Sequence, residues 1–274
     1  MPILSPESLY DGGIVIEIQN LLKTEFLGRN LHFYESVEST NTVLKELAQN
    51  GAPHGTVVIA DEQTRGRGRL GREWSSRAGR GIWMSVLLRP ELKPEAVQAL
   101  TLAASVSVCR AIEPVLDERP GIKWPNDILI AGKKVCGILT ELSAEADKVS
   151  WVIVGIGLNT HHSPADFPEE LRDKATSLLQ HLRKGECLDR DRLAAEMLNN
   201  LEAVYENYLR HGPGPMIREW KQRSVVLGRT VELIQEGRAI PATALDVCED
   251  GRLRVRFTDG TVRDILSGEI SLRF

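Results

Sequence analysis

The segment Thr64–Trp74, TRGRGRLGREW, packs four arginines and three glycines into eleven residues of a chain whose formal net charge is −4. Two more arginines, Arg77 and Arg80, follow closely. Arginine offers planar, bidentate donors to carboxylates and phosphates, and glycine lets backbone N–H groups turn toward an anion. Apolar runs flank the segment, TVVIADEQ before it and GIWMSVLLRP after it, and both read as strands that hold the ends of the loop. The pattern suits binding of a phosphate or a carboxylate. It is not a P-loop, because the spacing differs and no Lys-Ser/Thr pair follows Gly71. A merely solvated loop is the plain alternative. Nucleic acid is a weaker one, since no basic helix or aromatic ladder accompanies the loop and the chain is acidic overall.

Other residues could share its chemistry. In GIKWPND, Trp124-Pro125 imposes an extended backbone and sets Asn126 and Asp127 at a strand end. These supply either a rigid turn with a side-chain cap or an amide and a carboxylate, the latter near a magnesium ion. Lys134 opens an otherwise apolar strand, as an edge guard or as a functional cation, and Gly137 beyond it permits close approach to the backbone. VGIGLN ends a buried strand with Gly155, Gly157 and Asn159, where close packing and ligand approach are equally good readings. Glu38–Asn41, ESTN, starts a helix, and capping accounts for one of Ser39, Thr40 and Asn41 but not for all three. His161-His162 has no third ligand at usable spacing, so no metal is assigned to it.

The elements that must position these residues follow from periodicity and turn chemistry. A helix is predicted over Ile14–Phe26, a strand over Leu31–Val37, and a helix from Ser39 or Thr40 to a stop at Gly51. The strands flanking the arginine loop come next, then a long helix from Pro94 to about Leu116. Adjacent strands follow, turning at Ala131-Gly132 and Ala146-Asp147, and a loop rich in Pro and Asp runs through residues 161–176. Helices are expected over Ser177–Arg183, Asp189–Arg210 and Pro215–Arg223. From Ser224 the texture becomes that of a small β-barrel, with turns at Glu236-Gly237, Asp250-Gly251 and Asp259-Gly260. The expected division is residues 1–223 and 224–274.

A chain of 274 residues, 42% hydrophobic and 26% charged, can bury a full core. Its four cysteines, Cys109, Cys136, Cys187 and Cys248, are far apart and form no CxxC pair. With no signal-peptide pattern, they read as reduced thiols in a cytoplasmic setting. Apolar runs such as WVIVGIGL are too short to span a bilayer, which gives no reason to expect a membrane partner.

Taken in order, ESTN, EQTRGRGRLGREW, GIKWPND, GKKVCGIL, VGIGLN and ATSL resemble the biotin protein ligases, from about Leu31 to the C-terminus. The resemblance implies an α+β fold of the class II synthetase/biotin-ligase kind, a mixed and mainly antiparallel sheet covered by helices, followed by an SH3-like barrel. It implies ATP-dependent activation of biotin to biotinyl-5′-AMP, with Mg2+, and transfer of biotin to a lysine of a biotin carboxyl carrier protein. The residues before Leu31 hold one expected helix, too little for a winged-helix domain. The expected form therefore only catalyses and binds no nucleic acid, and a homodimer paired through a sheet edge is compatible with it.

By the same resemblance Ser39, Thr40 and Asn41 would surround the biotin ureido ring, completed by Gln63 and the backbone at Arg67 and Gly68, with Gly137 in the apolar wall. Arg67 and Arg69 would face the biotin carboxylate and the ATP phosphates, and Lys134 would stand at their junction. Lys123, Asn126 and Asn159 would lie on the nucleotide side, Asp127 there through magnesium, and Trp74 would wall the adenylate. Leu70 stands where some relatives carry another arginine. Lipoate ligases are the nearest rival, and the form of the arginine loop and the C-terminal barrel favour biotin.

Overall fold

Strands buried on both faces read as unbroken apolar runs and belong in the middle of a sheet. Here these are β3 (Gly81–Leu88) and β7 (Lys148–Asn159). The computed structural model describes residues 12–145, 148–235, 238–266 and 268–271. In it, β1 (Leu31–Val37), β2 (Val57–Gln63), β4 (Gly121–Lys123), β5 (Asp127–Ile130) and β6 (Lys133–Glu145) join them in a seven-stranded sheet of order β1-β2-β3-β7-β6-β5-β4. Only the β1–β2 pair is parallel; the other pairs are antiparallel.

Alternation of side chains gives this sheet two unlike faces. Met84, Val86, Val152, Val154, Ile138 and their neighbours point into the main core. That core is closed by α3 (Val97–Ile112), which is buried nearly throughout, and by α4 (Arg190–His211) and α5 (Gly214–Arg223). The stretch Pro94–Val115 is long and apolar enough to cross a membrane, yet here it is the central helix of that core. On the opposite face α2 (Thr40–Gln49) covers a smaller cluster of Leu44, Ala48, Val58, Leu87, Trp151 and Ile153. Beyond the N-terminus of α2 the same face carries, beside Trp83 and Leu139, the small residues Ser85, Gly155, Gly157 and Gly137. The depression they leave positions the site.

Two helices are shorter than their sequence pattern predicts. The first, α1, spans Gly12–Leu21 and stops before Phe26. Buried Glu202 of α4 accepts hydrogen bonds from the backbone N–H groups of Glu25, Phe26 (3.1 Å) and Leu27 (2.7 Å), and those bonds turn the chain out of the helix. Of Ser177–Arg183 only a 3₁₀ turn forms, at Leu178–His181. Its groups bond back to the strand end instead, Leu179 N–H to the Thr160 carbonyl (2.9 Å) and Ser177 Oγ to the His162 carbonyl (2.6 Å).

After α5 the chain runs beside β4, with a bridge from Ser224 to Ile122, into a second, antiparallel sheet. Its strands are β8 (Thr230–Gln235), β9 (Arg238–Val247), β10 (Leu253–Phe257), β11 (Val262–Ile265) and β12 (Glu269–Ser271), in the order β11-β10-β9-β8-β12. Gly251 and Gly260 make tight turns in it at φ values of 88° and 85°. The turns expected at Ala146-Asp147 and Glu236-Gly237 lie outside the described residues. The Trp124 indole N–H donates to the Gly251 carbonyl (2.9 Å), tying this sheet to the segment that carries Asn126 and Asp127.

The loop after β7 contains a buried histidine with consequences for stability. His162 is 1% exposed, stacks on Phe167 at 4.8 Å, and has no hydrogen-bond partner at either ring nitrogen. Burial, reinforced by the Arg80 and Arg77 charges and only partly opposed by Asp166 and the Arg80 backbone, holds its pKa down at about 4, against 6.5 for an ordinary histidine. The folded protein therefore keeps the ring neutral while the unfolded chain takes up a proton as pH falls through 6.5, so stability drops between pH 6.5 and about 4. Thermal unfolding measured across that window should show a falling Tm in the wild type and a flatter profile in His162→Phe. Parallel profiles would remove His162 as a cause.

Candidate active site

The N-terminus of α2, the arginine loop and the small-residue depression meet at one place. Backbone Thr40 N–H and the Thr40 hydroxyl both donate to Gln63 Oε1, at 2.9 and 3.1 Å. Ser39 is the residue before the helix and its side chain makes no capping bond, so of the three side chains among which the sequence left the cap open, Ser39 is not the one; Gln63 of β2 accepts the Thr40 N–H instead, and Ser39 borders the cleft. Ser85 Oγ contacts both Thr40 Oγ1 (2.7 Å) and Asn41 Oδ1 (2.6 Å), and Gln63 Nε2 donates to Ser76 Oγ (2.7 Å). These buried polar groups satisfy one another and are held in fixed orientations.

Gly155, Gly157 and Gly137 make the floor. A Cβ on Gly155 would lie 2.2 Å from Asn41 Oδ1, and one on Gly157 would lie 2.5 Å from Trp74 Nε1. On Gly137 it would come within 3.0 Å of the Trp74 ring and 3.2 Å of Lys134 Nζ. Gly137 and Gly157 face each other across β6 and β7, so together they provide a flat strip of bare backbone under the indole. Trp74 Nε1 is buried there with no protein acceptor. A cleft over the strip is bordered by Ser39, Asn41, Gln63, Arg67 and Trp74.

The loop itself is a folded hairpin. Backbone bonds from Gln63 to Ser76 (2.9 Å), Trp74 to Gly66 (2.8 Å) and Gly68 to Arg72 (2.7 Å) pair its two limbs. A Cβ at Gly66 would collide with the Trp74 carbonyl at 2.3 Å, which explains that glycine, and the tip turns through Leu70 at φ 57° with its side chain 77% exposed. Arg67 pairs with Glu141 on β6 (2.8 Å), and Arg69 donates to Asn126 Oδ1 (3.2 Å).

Cations gather on the other side of Asn126. A second cleft is bordered by Arg69, Arg72, Lys123, Asn126, Asp127 and Lys134. Lys134 Nζ pairs with Asp127 at 2.6 Å and stands over the Trp74 ring, 4.9 Å from its centroid. Asn126 also donates to the Ile138 carbonyl (2.8 Å), which fixes its amide between the two clefts. Lys134 is steadied by the loop after β7, through backbone bonds to Lys174 (2.8 Å) and from Thr176 (2.9 Å), and Asn159 Nδ2 reaches the Thr176 carbonyl (3.1 Å). Asn159 is thus buried behind Lys134, acting on the strand connection, and it borders neither cleft.

Among the described residues no group of three or more His, Cys, Asp or Glu is placed to hold a metal. Asp127 is a single carboxylate already paired with Lys134, so the donor set does not make a resident magnesium site. Cys136 is fully buried beside the site, and burial pushes its thiol far above the usual range, which leaves no thiolate nucleophile there. Three participants lay outside the sequence reading: Glu141, Ser85 and Ser76. Glu141 carried a faint signal, a carboxylate inside the apolar run GILTEL; the two serines carried none.

The sequence profile of the biotin/lipoate A/B protein ligase family matches residues 33–159, and that of the biotin protein ligase C-terminal domain matches residues 226–273. The bifunctional ligase/repressor BirA of Bacillus subtilis is 42% identical over 256 residues, covering 93% of this chain and 78% of its own. The biotin–[acetyl-CoA-carboxylase] ligase of Mycobacterium tuberculosis is 36% identical over 233 residues, covering 82% of each chain. Among solved structures, the biotin protein ligase of Aquifex aeolicus in complex with biotin and ATP superposes with a TM-score of 0.74 at 32% identity, covering 89% of this chain and 99% of that one. With its mainly antiparallel sheet, its loop of arginines over a glycine floor and both domain profiles matched in order, this chain belongs to the biotin protein ligase family.

Proposed function

We propose that this chain activates biotin with ATP to give biotinyl-5′-AMP and then transfers the biotinyl group to a lysine of a biotin carboxyl carrier protein. One observation carries the reading: a polar cleft over a glycine floor, with Arg67 on its border, and a cation-rich cleft share Asn126 as their common border. A small uncharged ring system with an acidic tail needs the first, and a nucleotide triphosphate needs the second.

In the first half-reaction a carboxylate oxygen of biotin attacks the α-phosphorus of ATP, and pyrophosphate leaves with the bridging oxygen. Two anions must meet, so cations have to neutralise both and the charge that develops between them. Arg69 and Lys134 line the cation-rich cleft, Arg69 bonded to the shared Asn126 and Lys134 over the Trp74 ring that borders the first cleft, and they do so without giving up a proton. Magnesium would arrive on the nucleotide phosphates, since the described residues offer no metal cage of their own. In the second half-reaction the lysine amine attacks the acyl carbon and AMP departs. The mixed anhydride must be kept from water in between, and the arginine hairpin, clipped to the sheet through Arg67 and Arg69, covers it. We place the catalytic unit at residues 1–223 and the C-terminal unit at 224–274, in a cytoplasmic protein.

Exchange of labelled pyrophosphate into ATP tests the reaction. It should depend on biotin and not on lipoate, and lipoate-dependent exchange would overturn the assignment. Lys134→Ala should slow adenylation by about 3 kcal/mol of lost charge stabilisation, and unchanged turnover would remove Lys134 from the mechanism. Arg69→Ala should still form adenylate but release it, read as free biotinyl-AMP in solution; equal retention in mutant and wild type would refute the covering role. Gly157→Ala puts a methyl where the indole now lies, so biotin affinity by calorimetry should fall by about ten-fold or more. Unaltered affinity with an intact fold would show that the glycine floor is not the biotin contact.

A further inference from the structure

Glu141 borders neither cleft, yet its carboxylate holds residues that do. It sits on β6 opposite Ile153, on the same sheet face as Gly137 and Leu139. One oxygen, Oε2, accepts from Asn41 Nδ2 (2.6 Å) and from Arg67 (2.8 Å). The first donor lies in the opening turn of α2, the second on the arginine hairpin. Both border the glycine-floored cleft. From the other side Ser85 donates to Asn41 Oδ1, so the Asn41 amide can point only one way.

We propose that Glu141 is a positioning residue for the biotin cleft: it clamps the Arg67 guanidinium and the Asn41 amide together at the cleft rim and so fixes the hairpin over its floor. The inference rests on the reading of that cleft as the biotin site. Arg67 has a long side chain on a loop, 43% exposed, and would otherwise sample many rotamers. A strand-borne carboxylate removes that freedom before substrate arrives, which is where pre-organisation lowers KM. Glu141 touches no reacting atom in this scheme, so kcat at saturating biotin is left nearly intact.

Glu141→Gln keeps an oxygen for Asn41 and removes the charge that holds Arg67, so it separates the clamp from general folding. Three measurements on the full chain test it. In pyrophosphate exchange the KM for biotin should rise by about ten-fold in Glu141→Gln, with the KM for ATP and kcat little changed. Placed in an Arg67→Ala background the same substitution should add no more than about two-fold, because the two act as one unit. In protein without added substrate, amide hydrogen exchange over residues 64–74 should quicken by about ten-fold in Glu141→Gln and to the same extent in Arg67→Ala, with the peptides of β3 and β7 unaffected. An unchanged biotin KM, multiplicative effects in the double variant, or unaltered exchange in the hairpin would each overturn the clamp. The hydrogen-exchange result does not depend on which acid is the substrate. Quickened hairpin exchange in a chain lacking biotin-dependent turnover would sink the biotin reading and, with it, Glu141's role toward biotin.

Discussion

The period-two alternation of β3, β7 and β6 governs everything else in the catalytic sheet. One parity of these strands is apolar and large, and it builds the core under α3 and α4. The other parity changes character along its length. It is apolar beneath α2, and beyond the start of that helix it has a strip of small residues, Ser85, Gly155, Gly157 and Gly137, between Trp83 and Leu139. A one-residue slip in any of these strands would bury the wrong set and put branched side chains where the indole of Trp74 now lies. The main core therefore fixes the register, and the register makes the floor. The site has its shape because the opposite face of the same strands is heavily buried.

Charge is managed in the same economical way. A chain with net charge −4 collects Arg67, Arg69, Arg72, Lys123 and Lys134 around a small volume, where like charges would repel. Glu141 answers Arg67 and Asp127 answers Lys134, while the Asn126 amide accepts from Arg69 without adding charge. Half-exposed ion pairs of this kind contribute only about 0–1 kcal/mol to stability. Their value lies in geometry: each pins a long cation against a carboxylate carried by a strand of the sheet.

Much of this was legible in the sequence, and the reasons differ by residue. The strands were, because buried apolar runs and the Gly- and Asp-rich turns between them are local signals. The arginine loop, Lys134 and the pair Asn126-Asp127 stood out by residue type and by their order along the chain, although a solvated loop, an edge guard and a capped turn were the plain alternatives. Contacts made across the chain were hidden. Nothing near Phe26 says that Glu202, far along in α4, will bind its N–H and end the first helix early. Nothing in ESTN says that Gln63, from another strand, will accept the Thr40 N–H at the start of α2. Glu141 shows as a lone carboxylate in an apolar run, but its two partners come from β2's loop and from α2 and become neighbours only when the sheet is assembled.

The segment Lys123–Asp127 shows how one short motif can serve both stability and chemistry. Trp124 is 1% exposed and spends its single polar group on the Gly251 carbonyl of the second sheet. Two residues later Asn126 faces the opposite way, dividing the two clefts, and Asp127 begins β5 against Gly137 of the floor. The same five residues thus anchor the C-terminal sheet and set the border of the site. Gly251 accepts that bond from a tight left-handed turn at φ 88°, pressed against Gln98 at the start of α3, where a side chain would be strained. The C-terminal sheet is thus tied to the Asn126 segment through Trp124 as well as through the bridge from Ser224 to Ile122. A unit that contributes few cleft-lining residues of its own is in this way mechanically joined to the place where the two substrates meet.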